Sequence, residues 1–323
     1  MSAKGPTSRE VAREAGVSQS TVSLVFSGRA QGRVSAATQQ RVQQAALRLG
    51  YRPHAAARSL RSGRSGLVVL MVPQLQNPFF VRVMDGAEQA AYEYGYSVVL
   101  TSGQRDAIFD AAAAVDGIIA CSQPLPNLGR PAGQVPAVIL DYQASNGVPN
   151  IGMDVSGGMA TAVRHLAQLG HTRIGYVRSV LRTPTFRARA SGLRRAATGL
   201  ATTVIAAELS TSATEHAVKP ILSVRHDRVT AIICDDDVQA AGVYRAAYNL
   251  GLRIPDQLSV VGFGNTDIAT LLYPSLTTVD LPGEQLGRTG TTMLLEQLLD
   301  RSPQVPATLP TRLLERDSAA PAD

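Results

Sequence analysis

The sequence predicts a small all-α headpiece of helix-turn-helix type joined to an α/β core of two Rossmann-like lobes. Three observations predict this. Residues 1 to 65 show helical periodicity with turn glycines and hold eleven lysines and arginines against Glu10 and Glu14. That segment is therefore +9 while the whole chain is +6, leaving −3 for the remainder. From Leu67 onward the pattern changes to short apolar runs alternating with helical stretches, in two successive series. At 323 residues the chain has room for one small domain and two larger cores.

The headpiece elements follow from their caps. Thr7 and Glu10 form a T-x-x-E capping box that starts a helix, and Val11, Ala12 and Ala15 give it one small apolar face. Gly16 stands where the chain must turn, because glycine takes positive φ without steric cost. Ser18 caps a second helix whose inner face is Val22, Val25 and Phe26. Small residues at Ala12 and Ala15 let the two helices cross closely, the geometry of a helix-turn-helix that docks in a DNA major groove. A third helix is expected from Ser35 to Leu49, with Val42, Ala45, Ala46 and Leu49 inward and Gly50 past its end. A basic head on a mildly acidic body is the footprint of polyanion binding, with affinity that falls as salt rises. The alternatives are a surface αα-hairpin and a solvated basic face.

The segment YRPHAAARSLRSGRSG follows. Pro53 opens a short helix there, and Gly63 and Gly66 end it. With almost no apolar face and only two turns, that helix needs something packed against it, and its arginines point to DNA.

In the core, LVVLMV, YSVVL, DGIIAC and AVILD read as buried strands, with a helix from about Phe79 to Tyr94 between the first two. The second series predicts a helix Gly157–Leu169, strand RIGYV and helix Thr185–Ala197. An apolar run near TTVIAAEL comes next, then strand VTAIIC, helix Val238–Leu250 and strand LSVVGF. A helix Glu284–Leu299 and a short strand in TRLLER complete the lobes, and the tail DSAAPAD is expected to fray. Such alternation implies parallel sheets covered on both faces, with a cleft beyond the carboxyl ends of the strands.

Several function classes lose support. Cys121 and Cys234 both close apolar runs and read as buried thiols, not as a disulfide framework or metal site. No apolar signal core and no bilayer-spanning run is present, so a cytoplasmic protein with no membrane partner is expected. After LVVLMV comes PQLQNPFF, without the glycines of a dinucleotide fold, and neither G-x-S-x-G nor H-E-x-x-H occurs. The reading is not an enzyme, and no cofactor, metal or catalytic residue is assigned.

Taken in order, VAREAGVSQSTVSLVFSG, RVSAATQQRVQQAALRLGYRPHAAARSLRSG, NPFF, VDGII, HLAQLGHTRIGYV, LGLRIPDQLSVVGF and YPSLTTVDLPGEQLGR make the chain resemble the LacI/GalR family of bacterial transcriptional regulators. The resemblance covers nearly the whole chain. It implies a periplasmic-binding-protein-like core, a homodimer, a palindromic operator DNA as partner, and a small-molecule effector, a sugar or related polar metabolite, in the inter-lobe cleft. The implied organisation is a headpiece at 1–50, a hinge at 51–65 and a core at 66–323. The first lobe takes about 66–156 and 283–303, the second about 157–282 and 304–318. The function expected is sequence-specific repression under effector control. The alternatives are a repressor without small-molecule control, and a ligand-binding protein or enzyme on the same core.

On that resemblance Gln19 and Ser20 fall where the family reads bases, and glutamine bonds adenine bidentately. Leu24 stands where many members carry an arginine, so its contact becomes apolar. Thr7, Ser18, Thr21, Ser23 and Ser27 are placed to bond phosphates, which fixes register without reading sequence. Leu60 sits in A-R-S-L, where the family inserts a leucine wedge into the minor groove, with Ala57 allowing close approach of paired hinges and Arg58 and Arg61 on the backbone. The alternative for Leu60 is a cap on the core's edge.

For the effector, Phe79 and Phe80 occupy the place of a ring-stacking aromatic, with lobe core as the alternative. Arg189 in R-A-S-G matches the family arginine that forks onto ligand hydroxyls or carboxylates. Asp236 falls where an asparagine of an N-D pair is usual, with helix capping as its alternative. Gly264 and Asn265 replace a common acidic pair, and Asn265 is retained as a candidate contact. Between Tyr96 and Val115 only Asp106–Ala114 is available for the usual helix.

Overall fold

In the computed structural model, helix α1 (Ser8–Ala15) begins where Thr7 and Glu10 close the expected capping box. The Glu10 carboxylate accepts from the Thr7 backbone N–H at 2.6 Å, and the Thr7 hydroxyl accepts from the Glu10 N–H at 3.4 Å. The described residues are 6–26, 30–51, 64–102, 115–125, 135–142, 147–224, 226–302 and 308–322. Two compact units divide the chain, residues 1–65 and 66–323.

In the first unit Gly16 adopts φ +64°, and the Val17 N–H reaches back to the Ala12 carbonyl at 2.9 Å, ending α1. Ser18 caps α2 (Gln19–Phe26), its hydroxyl accepting from the Thr21 N–H at 3.1 Å. Ser35 caps α3 (Ala36–Leu49), and Val11, Ala12, Ala15, Val22, Val42, Ala45 and Ala46 form the core between the three helices. Leu49, expected inward, lies on the exposed side. The left-handed Gly50 turns the chain so that Tyr51 packs edge-on against Phe26 instead, at 5.8 Å between ring centroids.

The second unit contains two six-stranded sheets. The first has order β11-β5-β4-β3-β1-β2, from β1 (Leu67–Val72), β2 (Ser97–Ser102), β3 (Gly117–Cys121), β4 (Ala137–Leu140), β5 (Asn150–Met153) and β11 (Thr308–Leu309). All its pairings are parallel. Helix α4 (Pro78–Glu93) and helix α10 (Gly283–Leu298) pack against each other beside it. The two backbones meet at glycines: a Cβ on Gly86 would lie 1.9 Å from the Glu284 carbonyl, and one on Gly287 1.9 Å from the Val83 carbonyl.

The second sheet has order β12-β10-β9-β8-β6-β7, from β6 (Arg173–Ser179), β7 (Ala201–Ala207), β8 (Ala231–Cys234), β9 (Ser259–Gly264), β10 (Thr277–Asp280) and β12 (Arg312–Leu314). Only the β10–β12 pair is antiparallel. Its helices are α5 (Val155–Gln168), α6 (Pro184–Ala196), α7 (Thr211–Leu222), α8 (Asp237–Asn249) and α9 (Asp267–Leu271).

The chain crosses between lobes three times: after β5, after β10 and after β11. The third crossing corrects the boundary drawn from sequence. The sequence places 304–318 in the second lobe, whereas Thr308 and Leu309 pair with Gly152 and Met153 in the first. The tail is also not frayed. Ser318 is fully buried, its hydroxyl donates to the Val260 carbonyl and accepts from the Thr277 N–H, and the Ala322 N–H bonds to the Leu169 carbonyl at 2.7 Å. His171 anchors the same segment, with Nδ1 at 2.9 Å from the Thr230 hydroxyl and Nε2 at 3.1 Å from the Ala320 carbonyl. Burial lowers its pKa, so the ring is a neutral structural hub.

Candidate DNA-reading helix and inter-lobe site

Helix α2 exposes Gln19 and Ser20 at its N-terminal end and leaves Thr21, Ser23 and Leu24 half-buried. The Gln19 amide donates to the Ser8 hydroxyl on α1 at 2.8 Å, which leaves its Oε1 as an acceptor. Thr7 and Ser18 are already engaged as helix caps, and the Ser18 and Thr21 hydroxyls lie 2.9 Å apart. Ser27, Ala57, Arg58, Leu60 and Arg61, and the segment Asp106–Ala114, lie outside the described residues.

In the core, Asp141 after β4, Asp235 and Asp236 after β8 and Phe263 on β9 lie around Arg189. This arginine, on α6, is buried; Nη1 donates to the Asp235 carbonyl, and the guanidinium carbon lies 4.1 Å over the Phe263 ring and 5.0 Å from that of Phe186. Its Nε–H has no acceptor among the described residues. A buried donor left unpaired costs about 1–3 kcal/mol, more for a charged group, so its retention marks a place where a ligand atom can serve.

The three consecutive aspartates after β8 separate into distinct roles. Asp235 is fully buried, accepting from the Tyr176 hydroxyl at 2.7 Å and the Ser179 N–H at 2.8 Å. Asp237 is likewise buried, on the Thr278 hydroxyl at 2.7 Å and the Thr266 N–H at 2.8 Å. Asp236 caps α8 through the Val238 N–H at 2.9 Å and takes the Asn77 amide from the first lobe at 3.0 Å. Burial, then the neighbouring Asp237 charge, raises its pKa to about 6.

Phe79 and Phe80 pack edge-to-face, 5.4 Å between centroids, and both belong to the buried core. Asn265 is fully engaged: its amide donates to Asp280 at 2.9 Å, its Oδ1 accepts from Arg316 at 2.7 Å, and its carbonyl accepts from Arg82 at 3.2 Å. It therefore joins a network at the β10 crossing, with both polar atoms of its amide already bonded to other side chains. Gly264 beside it has φ +136°, and a Cβ there would lie 3.2 Å from an Asp237 carboxylate oxygen. An acid at that position would thus be strained and would face a buried like charge.

Residues not singled out from sequence complete the site. Asp141, just past β4, is buried near Arg189 and takes the Ser122 hydroxyl at 3.0 Å and the Thr185 hydroxyl of the second lobe at 3.1 Å. Burial raises its pKa against the opposing pull of Arg189. Ser122 and Asp141 hold φ of +54° and +52°, strain of a kind that concentrates at functional sites. An acid directly after a buried parallel strand was a readable signal for Asp141. Arg82, whose guanidinium also reaches the Gly264 carbonyl at 2.9 Å, had none, because one arginine on an amphipathic helix looks solvated.

Comparison with known proteins agrees with this architecture. Residues 7–54 match the model described as bacterial regulatory proteins, lacI family, and residues 163–319 match a periplasmic binding protein-like domain. The ribose operon repressor of Halalkalibacterium halodurans is 31% identical over 97% of this chain and 96% of its own. The HTH-type transcriptional repressor PurR of Photobacterium profundum is 33% identical over 92% of this chain and 93% of its own. A solved lac repressor dimer bound to operator and the anti-inducer ONPF superposes with TM-score 0.82, at 26% identity, covering 98% of this chain and all of that one. Head and core together define a class of proteins, DNA-binding transcriptional regulators with a two-lobed core, and not enzymes. The chain belongs to the LacI family of bacterial regulatory proteins. Among the described residues no helix is long and apolar enough to cross a membrane.

Proposed function

We propose that the chain represses transcription as a homodimer on a palindromic operator, and that a small neutral polyhydroxyl ligand in the inter-lobe cleft changes its operator affinity. The observation that carries the ligand reading is Arg189, buried between Phe263 and Phe186 with an unpaired Nε–H. Its single positive charge faces three buried carboxyls, Asp141, Asp235 and Asp236, an arrangement that favours a neutral ligand over a phosphate or carboxylate. Asp236 and Asp141 add acceptors for ligand hydroxyls. Asn265 contributes by holding the β10 crossing and Phe79 and Phe80 by packing α4, each one step removed from the ligand.

On the DNA, Gln19 and Ser20 read base edges, Leu24 makes an apolar contact, and Thr7, Ser18, Thr21, Ser23 and Ser27 engage phosphates. Leu60 is the minor-groove wedge, flanked by Ala57, Arg58 and Arg61, so Leu60→Ala should weaken operator binding with ligand response intact. The deciding experiment is a thermal-shift panel of sugars, sugar phosphates and nucleosides on the wild type. A neutral member is expected to raise the melting temperature where its phosphorylated form does not. A panel without any shift would favour a repressor lacking small-molecule control.

A further inference from the structure

Between Asp154 and Glu208 the chain holds eight arginines and not one aspartate or glutamate. The core from residue 66 onward sums to −3, so this +8 block stands against −11 in the rest of it. The block comprises α5, β6, α6 and β7.

Arg164 on α5 and Arg187, Arg194 and Arg195 on α6 are exposed. Along α6, Arg187, Ser191, Arg194 and Arg195 recur at spacings of four, seven and eight residues, which sets them on one helix face. The two helices lie against each other, with Gly192 of α6 so close to α5 that a Cβ would meet the Ser156 carbonyl at 2.3 Å. Among the described residues Arg164, Arg187 and Arg195 bond neutral acceptors only. Arg164 reaches the Thr161 hydroxyl at 3.0 Å, Arg187 the Arg182 carbonyl at 2.6 Å, and Arg195 the hydroxyls of Ser191 and Ser156. Among the described residues, carboxylates bonded to these helices include Asp154, which caps α5, and Glu315, 3.6 Å from His165.

A protein partner would need aromatic or aliphatic anchors at the centre of the contact. Neither α5 nor α6 exposes a large apolar side chain. Arginines interleaved with serine and threonine hydroxyls instead match a phosphodiester backbone. We propose that the outer face of α5 and α6 is a second, sequence-independent contact for the DNA backbone, separate from the helix-turn-helix and independent of the cleft ligand.

The test uses the full-length protein, a short duplex containing only the operator, and the same operator within long unrelated flanks. The variant is Arg164→Gln/Arg187→Gln/Arg194→Gln/Arg195→Gln, with the four Arg→Lys changes as a charge-preserving control. Wild type and the lysine form should bind the flanked duplex more tightly and with a steeper salt dependence, by about 0.9 in log–log slope per phosphate engaged. The glutamine variant should match wild type on the short duplex and lose that increment on the long one. Equal behaviour of the glutamine variant and wild type on both duplexes overturns the proposal. So does competition by polyglutamate with no dependence on flanks, which would assign the face to an acidic polypeptide.

Discussion

The Asn77 side-chain amide donates to the Asp236 carboxylate across the cleft at 3.0 Å, and each residue also caps its own helix. Asn77 Oδ1 accepts from the Phe79 N–H at the start of α4, and Asp236 Oδ1 from the Val238 N–H at the start of α8, both at 2.9 Å. Two helix N-termini, one from each lobe, are thus joined by their caps, and the carboxylate sits where both helix dipoles favour negative charge. Asp141 and Thr185 make a second bridge, and Arg82 with the carbonyls of Gly264 and Asn265 a third.

The first bridge is sensitive to charge. Asp236 has its pKa raised to about 6, so the folded state holds its proton more tightly than the unfolded chain. Its contribution to stability is largest below the ordinary carboxylate value and is lost as pH rises through about 6. Asn77→Asp preserves the α4 cap but opposes a second carboxylate to Asp236. The variant should melt close to wild type at pH 5 and be less stable by about 1–2 kcal/mol at pH 8, where both groups ionise. An equal deficit at both pH values would show that the bridge does not depend on Asp236 ionisation.

Arg189→Lys separates charge from shape. The ammonium keeps a positive charge beside Asp141, Asp235 and Asp236 but cannot present a planar fork stacked on Phe263. Melting of the ligand-free protein should change little, whereas affinity for any ligand found in the panel should fall at least tenfold, or about 1.4 kcal/mol. Unchanged affinity in isothermal titration would remove Arg189 from the ligand site.

Gly86→Ala tests the α4–α10 contact. The added methyl would collide with the Glu284 carbonyl, which is backbone and cannot swing away. Overpacking of this kind costs about 1–3 kcal/mol and more where backbone must move. Urea denaturation of the variant should show an earlier core transition, and an unchanged midpoint would mean the helices can separate freely.

Elements whose residues agree locally were legible in the sequence. Caps at Thr7 and Ser18, the turn at Gly16 and the β-branched runs of β1, β3, β6 and β8 each carry their own signal. Strand β10 did not, since TTVD reads as polar. Its Thr277 and Thr278 are buried only because the Arg316 N–H and the Asp237 carboxylate satisfy their hydroxyls from distant parts of the chain. Helix α7 was also missed, with Pro220 inside it and a start rich in serine and threonine. Arg189 is marked in the sequence by its motif, whereas the bonds of Asn265 are not legible there, because its partners Asp280, Arg316 and Arg82 come from three other segments.

The C-terminal tail shows the same limit and gives the last prediction. Its composition, DSAAPAD, has no periodicity and no large side chain, so nothing local orders it. Order comes from hydrogen bonds to buried backbone groups and hydroxyls of the second lobe. The Ser318 hydroxyl replaces water for the Val260 carbonyl and the Thr277 N–H, the latter at 2.8 Å, and the Ala320 N–H meets the Ser259 hydroxyl at 3.1 Å. Ser318→Ala leaves two buried backbone groups without partners and should cost about 1–3 kcal/mol in chemical denaturation. Asp317→Ala, which removes an exposed carboxylate that accepts from the Ser275 hydroxyl, should cost less than about 1 kcal/mol because its loss is made good by water. Protease digestion of the wild type should leave the tail intact while the core is folded, and early release of the last residues with no change in stability for Ser318→Ala would mean that the tail does not hold the lobe.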